Sequence, residues 1–456
     1  MQVTAQQWLT IEAMKRLPRV NVLVGFLALA SCFPAHADGG DVAWAPIVGL
    51  RAVPHRVRLD DPAFYQVHLP VEQLQGRWVR ISGRFQGEPG EARATILAFA
   101  GKRRLSYAPP ATCRGEASDR VCEAFAWIPR ETDLLKATVW SAVTPTTVSE
   151  LHYEVGAVGR PNPEAALRLD ALLKTMAELY YRSAEVNWSE IRRSVDPALA
   201  APRGIDPIPG IVASVLTALP GGRHNGMRLK LPHERSQQEE RLVQEAEASM
   251  PTCHSVKDNI HLLNLPGTPR SSPEEDVLYV EAAQQCLLAQ PRQTRWIVDL
   301  RDCNGGTSHL TIAALSALLP AGELLQWQNG RGDRIPVDLT AAGVKTGGRF
   351  SLEQLLPVGQ RSTAPALVWI GPGTGSACEA LAAALSTRAR TRLVGLPSAG
   401  LTTGNETIEI SNDHLMFLTA GRMLVGGQPL EDDRLVPRAA VGDLGEGDLA
   451  TMLEQE

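Results

Sequence analysis

The sequence predicts a multidomain α/β protein: an N-terminal β-sandwich, a helical subdomain, and then an α/β core with a mixed sheet. Three observations predict it. Short alternating apolar and polar runs recur between about Val42 and Val158; apolar residues fall at helical spacing beyond Pro161; and near-continuous apolar runs alternate with helical stretches beyond Asn259. Alternation with a period of two marks half-buried strands, whereas continuous apolar strands between helices mark a sheet covered on both faces.

Residues 1–37 read as an export signal, with Met14 as a candidate start. Met14-Lys15-Arg16 precedes the apolar run Val22 to Ala30, and small residues follow. Cleavage after Ala35-His36-Ala37 would give a soluble product. Leu29-Ala30-Ser31-Cys32 instead resembles a bacterial lipobox, which would anchor the chain through a lipid on Cys32. Both readings stay open, and both put the mature protein in the periplasm or outside the cell, in a bacterial envelope. The apolar core is too short for a permanent span, and no later run reaches about 18 uninterrupted apolar residues, so no transmembrane helix is expected.

Residues 38–160 carry the runs RWVRISGRF, ATILAFAG, EAFAWIP, KATVWSAV and ELHYEVG. Regularly spaced short strands suit a sandwich or jelly roll. Trp127 and Trp140 fit either its core or a ligand platform. Residues 161–245 form the helical subdomain. It opens at Pro161-Asn162-Pro163 with AALRLDALLKTMAELYY, continues through VNWSEIRRSV, breaks at PRGIDPIPG and resumes as IVASVLTALPGG. A charged stretch, Glu234 to Ser249, reads as an exposed helix or loop. Residues 246–456 are the α/β core: NIHLLNLP, RWIVDLR, ALVWIG and TRLVGLP as strands, VLYVEAAQQCLLAQ and TIAALSALLP as helices, and TIEISNDHLMFLTAGRMLV as a β-rich tail.

A formal net charge of -5 carries no strong field and argues against a nucleic-acid partner. Of the seven cysteines, Cys113 and Cys122 flank the polar loop RGEASDRV and are the pair expected to bridge in an oxidising compartment. Cys253, Cys286, Cys303 and Cys378 cannot be paired from the sequence. Neither C-x-x-C nor clustered Cys/His spacing suggests a metal, and no cofactor is expected.

The chemistry lies between Trp296 and Glu431. ALVWI runs into Gly371-Pro372-Gly373-Thr374-Gly375, and Ser376 then opens an Ala/Leu-rich helix. A serine there has its hydroxyl at a sharp turn beside the unpaired N–H groups of the first helical turn, Ala377 first among them. That arrangement suits a nucleophile beside an oxyanion hole. Serine is also a preferred N-cap, so local sequence leaves both roles open. DLRDCNGG, Asp299 to Gly306, ends in two glycines that let the backbone approach closely. Gly305 or Gly306 can supply a second oxyanion donor. GLPSAGLTTGN, Gly395 to Asn405, and QPLEDDRLVP, Gln428 to Pro437, complete the set.

In order and spacing, these four stretches resemble the C-terminal processing, or tail-specific, serine peptidases, the family that includes the tricorn core protease and the repeats of the interphotoreceptor retinoid-binding protein. The resemblance covers roughly residues 165–440. DLRDCNGG is similar to the family's Asp-Leu-Arg-Gly-Asn-x-Gly-Gly, TGSACEALAAAL to its Ser-Ala-x-Glu nucleophile segment, LVGLPSAG to Val-Gly-x-x-Ser/Thr-x-Gly, and PLEDDRLVP to Glu-Gly-x-Gly-Val-x-Pro-Asp. Upstream, LTALPGGRHNG resembles the segment ending on Leu-x-Asp-x-His, with His224 at the histidine. The resemblance implies a core of crotonase-like ββα units and a serine-type peptidase acting on a peptide or protein substrate.

One branch of that family activates its serine with a lysine at the position held here by Leu401. The tricorn-like branch uses the histidine, so the resemblance implies Ser376 as nucleophile, His224 as general base and Glu431 as the carboxylate that orients it. The sequence departs from the pattern at Arg223, where the tricorn protease has a serine, at Arg438, where the tail motif is acidic, and at Asp432 and Arg434, which replace glycines. No stretch between Gly226 and Asn259 suits a peptide-binding PDZ module. The alternative to a peptidase is a catalytically silent envelope binding protein that keeps the fold.

Overall fold

The computed structural model describes residues 44–48, 50, 56–59, 64–87, 92–106, 112–116, 118–141, 145–229, 250–268, 273–353, 362–430, 434–437 and 444–455. The export signal, Cys32, the charged stretch 234–249, Glu431, Asp432 and Arg438 lie outside the described residues.

Strict alternation along Leu134–Ser141 turns Leu135, Ala137, Val139 and Ser141 to one face. That strand sits in a four-stranded antiparallel sheet with Phe64–Leu69, Ala92–Ala100 and Arg103–Ser106. A six-stranded antiparallel sheet is built around Thr146–Gly156, Arg77–Gln86 and Asp119–Ile128. Val79, Ile81 and Phe85 of the six-stranded sheet share one core with Ile96, Leu135 and Val139 of the four-stranded one. The Cys113–Cys122 bridge is formed, between directly paired residues with Cα atoms 4.0 Å apart.

Asn162 caps the helix Pro163–Leu179 by accepting from the N–H groups of Glu164 and Ala165, and Pro163 starts it where a missing N–H costs nothing. Ala165, Leu169, Leu173 and Met176 form its buried face. The helix Ile208–Ala218 is buried from Ile208 to Leu216 on every side. It can lie this deep because Gly210 meets Trp78, whose ring a Cβ at position 210 would approach to 2.5 Å. Trp127 packs on Trp78 in the same cluster and is 6% exposed, so it is a core residue; Trp140 is half-buried. Each aliphatic side chain buried this way stabilises the fold by roughly 1.5–3 kcal/mol relative to exposure.

Beyond residue 250, a five-stranded mixed sheet runs in the order Thr252–Lys257, Ile260–Asn264, Arg295–Asp299, Ala366–Ile370, Thr391–Gly395. The first pair is antiparallel and the remaining pairs are parallel. Ala366–Ile370 is buried at all five residues, as expected of a strand covered on both faces. The helices Pro273–Leu288, Ser308–Ala314 and Ala377–Ser386 contribute to the large core on this sheet. TIAALSALLP is helical only as far as Ala314 and continues as turns.

The second, eight-stranded sheet is antiparallel and centres on His414–Val425. Part of it, Gly322–Asn329, Arg334–Thr340, Gly343–Thr346 and Arg349–Glu353, is a meander without long apolar runs. A closing helix, Glu446–Glu454, packs Leu449 and Leu453 under the mixed sheet.

Candidate active site

Neighbouring parallel strands end side by side, so the loops after Asp299, Ile370 and Gly395 meet at one edge of the mixed sheet. Crevices at the carboxyl ends of such strands are where ligands bind in open α/β sheets. Thr374, with no exposed surface, knots the three loops together. Its hydroxyl donates to the Leu300 carbonyl (2.7 Å) and accepts from the Gly371 N–H (3.0 Å), while its carbonyl accepts from the Ala399 N–H (2.9 Å). The Cys303–Cys378 disulfide, also fully buried, joins the first loop to the helix that follows Ser376.

Ser376 sits at φ 53° and ψ −117°. An ordinary N-cap lies in the β region, and a non-glycine residue in this conformation stores roughly 1–3 kcal/mol, which persists only where the surroundings impose it. Ser376 is the N-cap of the helix all the same, with its N–H taken by the Glu379 side chain at the third helical position, but its backbone departs from that of an ordinary cap. Behind it, Glu379 is completely buried and accepts four hydrogen bonds. They come from the N–H groups of Ser376 (2.9 Å), Gly400 (2.9 Å) and Leu401 (2.7 Å) and from the Ser398 hydroxyl (2.5 Å). Burial raises the Glu379 carboxyl above its ordinary value, and the four donors pull the other way.

Gly305 lies directly against the serine: a Cβ there would come within 2.8 Å of the Ser376 Cβ and 3.4 Å of its Oγ. Its φ of +123° and the +119° of Gly306 are conformations that favour glycine. The pair is held from behind by Thr268, whose N–H donates to the Gly305 carbonyl (3.0 Å) and whose hydroxyl accepts from the Thr307 N–H (2.8 Å). Ala377 is the first residue of its helix, so its N–H has no acceptor within that helix.

Leu401 comes beside the nucleophile turn: its Cδ1 would lie 3.5 Å from a Cβ at position 375. That position therefore carries no amine. The tail stretch docks on the same loop, with the Ser398 N–H donating to the Leu435 carbonyl (3.0 Å) and the Leu435 N–H to the Ser398 hydroxyl (2.9 Å). Glu431, four residues earlier, lies outside the described residues.

His224 ends a short 3-10 turn, Gly222–His224, just before Gly226–Leu229 joins the eight-stranded sheet beside His414–Val425. Its Nδ1 is 3.0 Å from Thr403 Oγ1, and its carbonyl accepts from the Asn405 side chain (2.8 Å). Arg223 is exposed. Among the described residues, one link between His224 and Ser376 runs through residues 398–403, which Glu379 holds at one end and Thr403 completes at the other.

Arg301 chelates Asp299 with both its Nε and Nη2, and its guanidinium stacks 3.2 Å from the Trp369 ring centroid. Thr374, Thr268 and Thr403 are not marked by the sequence, whereas Glu379 stands at the glutamate of the Ser-Ala-x-Glu segment. Only Glu379 leaves a sequence signal, an acidic residue three places after a serine at a helix start. Among the described residues no group of three or more His, Cys, Asp or Glu is placed to hold a metal, and no helix is long and apolar enough to cross a membrane.

Residues 280–433 match Peptidase family S41. His224 precedes the matched residues. A nisin-resistance protein of Lactococcus lactis subsp. lactis is 24% identical over 263 residues, 57% of this chain and 77% of that protein. Among solved structures, a lipoprotein from Streptococcus agalactiae superposes with a TM-score of 0.52 at 17% identity, covering 66% of this chain and 99% of that one, and so shares the fold. The photosystem II D1 C-terminal processing protease gives a TM-score of 0.42 at 13% identity, over 64% of this chain and 97% of its own. Residues 280–433, which hold the Ser376 turn, thus match a family of serine-type peptidases, a class of hydrolase.

Proposed function

We propose that the protein is an exported serine endopeptidase that cleaves small or unfolded polypeptides through an acyl-enzyme on Ser376. Its layout is a signal peptide over 1–37, a β-sandwich over 38–160, a helical subdomain over 161–245 and a catalytic core of crotonase-like units over 246–456. The observation that carries the reading is the backbone of Ser376, held at φ 53° at a helix start and pressed against Gly305.

In the reaction, Ser376 Oγ attacks the scissile carbonyl carbon as His224 Nε2 takes the hydroxyl proton. The oxyanion accepts hydrogen bonds from the N–H of Gly305 or Gly306 and from that of Ala377, a contribution of roughly 3–4 kcal/mol per donor in such sites. Collapse breaks the C–N bond, and the imidazolium proton goes to the leaving amine. Water, deprotonated by the same nitrogen, then hydrolyses the ester and returns Ser376 to its hydroxyl form. Glu431 stabilises the imidazolium. Leu401 beside Gly375 supports a histidine base over a lysine.

The likeness to a nisin-resistance protein makes nisin the first peptide to test, alongside unfolded polypeptides. New peptide N-termini produced by the wild type and absent with Ser376→Ala support the reading. Binding of the same peptides without any cleavage would favour a silent envelope binding protein. Mass spectrometry of the mature N-terminus addresses export: a start at Asp38 means a soluble product, a lipid on Cys32 an anchored one, and an intact N-terminus neither.

A further inference from the structure

We propose that Thr403 is the positioning residue that fixes the ring and tautomer of His224 through a hydrogen bond to Nδ1. The inference rests on the reading of His224 as general base. Its starting point is the 3.0 Å contact between His224 Nδ1 and Thr403 Oγ1. A neutral histidine can take a proton on Nε2 only if Nδ1 carries the hydrogen, so whatever faces Nδ1 must accept. A threonine hydroxyl can accept there, and Thr403 is well held: it is 7% exposed and paired in register with Arg422 of the neighbouring strand.

The backbone of the histidine is tied to the same two strands. Asn405, two residues after Thr403, donates from its amide to the His224 carbonyl (2.8 Å). Asn225, the next residue in the chain, accepts the Thr419 N–H (2.8 Å). Ring and main chain are therefore aligned by the strands Thr403–Glu409 and His414–Val425. Arg223, next to the histidine, is exposed, and a hydroxyl reaches the ring from the strand Thr403–Glu409 instead. Thr403 also begins where the loop anchored by Glu379 ends. One run of chain, 398–403, thus registers the backbone of Ser376 at one end and the ring of His224 at the other.

The test combines three proteins, wild type, Thr403→Val and Thr403→Ser, with two readouts. Valine keeps the shape and β-branching of threonine and removes only the hydroxyl; serine restores it. In the wild type, ¹⁵N spectra of the His224 ring should show a protonated Nδ1 and an unprotonated Nε2. Thr403→Val should lose that signature and lower kcat by roughly a hundredfold, the low end of a general base's contribution, with KM little changed. Thr403→Ser should recover both. A wild-type ring protonated on Nε2, or ring signals and kcat that Thr403→Val leaves unchanged, would overturn the proposal. The expected tautomer pattern in a protein that cleaves no peptide would support the Thr403 assignment and refute the peptidase reading, so the two failures are separable.

Discussion

Four donors converge on one buried carboxylate behind Ser376, and this is the part of the site on which most other parts depend. Glu379 holds the serine's own N–H and the loop 398–401 together. Glu379→Gln keeps the volume but turns an amide donor toward groups that are themselves donors. Leaving one such buried group unsatisfied costs about 1–3 kcal/mol. Urea unfolding should therefore show a lower midpoint at unchanged m-value, and peptide cleavage should slow; an unchanged midpoint would remove Glu379 from this role. At this scale the sequence is legible only in part. Ser376 and Gly305 announce themselves through strand, turn and helix, because geometry there demands particular residue types. Thr268, Thr374 and Thr403 do not, because a threonine in a polar loop looks the same whether its hydroxyl faces water or a histidine. Glu379 stands out as a carboxylate in ACEALAAAL, but its four partners come from tertiary structure.

Among the elements, the loop 300–307 and the helix Ala377–Ser386 have to keep their spacing if oxyanion donors and nucleophile are to face the same carbonyl. The buried Cys303–Cys378 bridge joins them across 75 residues of sequence. Replacing both cysteines by alanine should lower the unfolding free energy by roughly 2–4 kcal/mol and slow acylation of Ser376. Replacing Cys113 and Cys122, whose bridge closes a hairpin in another sheet, should leave acylation unchanged. Equal effects of the two replacements on acylation would contradict the account. The five strands expected before residue 160 and the parallel strands of the core are legible because their apolar patterns match their burial. The meander between Gly322 and Glu353 is not, since its short strands carry charged and polar residues on half-exposed faces. Pairing of Cys253 with Cys286 and of Cys303 with Cys378 depends on tertiary contacts that spacing does not encode.

For the whole molecule, pH response follows from which groups are buried. Burial lowers the His309 and His414 imidazoles below their ordinary value of 6.5. Their folded forms favour neutrality, so the stability they contribute is whole above about pH 6.5 and is lost as pH falls through their folded values. Burial raises the Glu379 carboxyl, which acts in the opposite sense: its contribution is whole below about 4.5 and is lost as pH rises through its folded value. His309→Gln should therefore lose less stability than the wild type as pH falls below about 6.5, and parallel curves would contradict that assignment. The meeting of the first three stretches at the carboxyl ends of the mixed sheet follows from parallel strand pairing, which the apolar runs make legible, whereas the fourth reaches them only through Leu435 on Ser398. The proposed mechanism requires Ser376 to be an activated nucleophile. It is tested most directly by treating the protein with a fluorophosphonate and mapping the adduct by mass spectrometry. One adduct is expected on Ser376, absent in Ser376→Ala and formed at least roughly a hundredfold more slowly in His224→Ala; an unmodified Ser376 in the wild type, or labelling unaffected by His224→Ala, would overturn the mechanism.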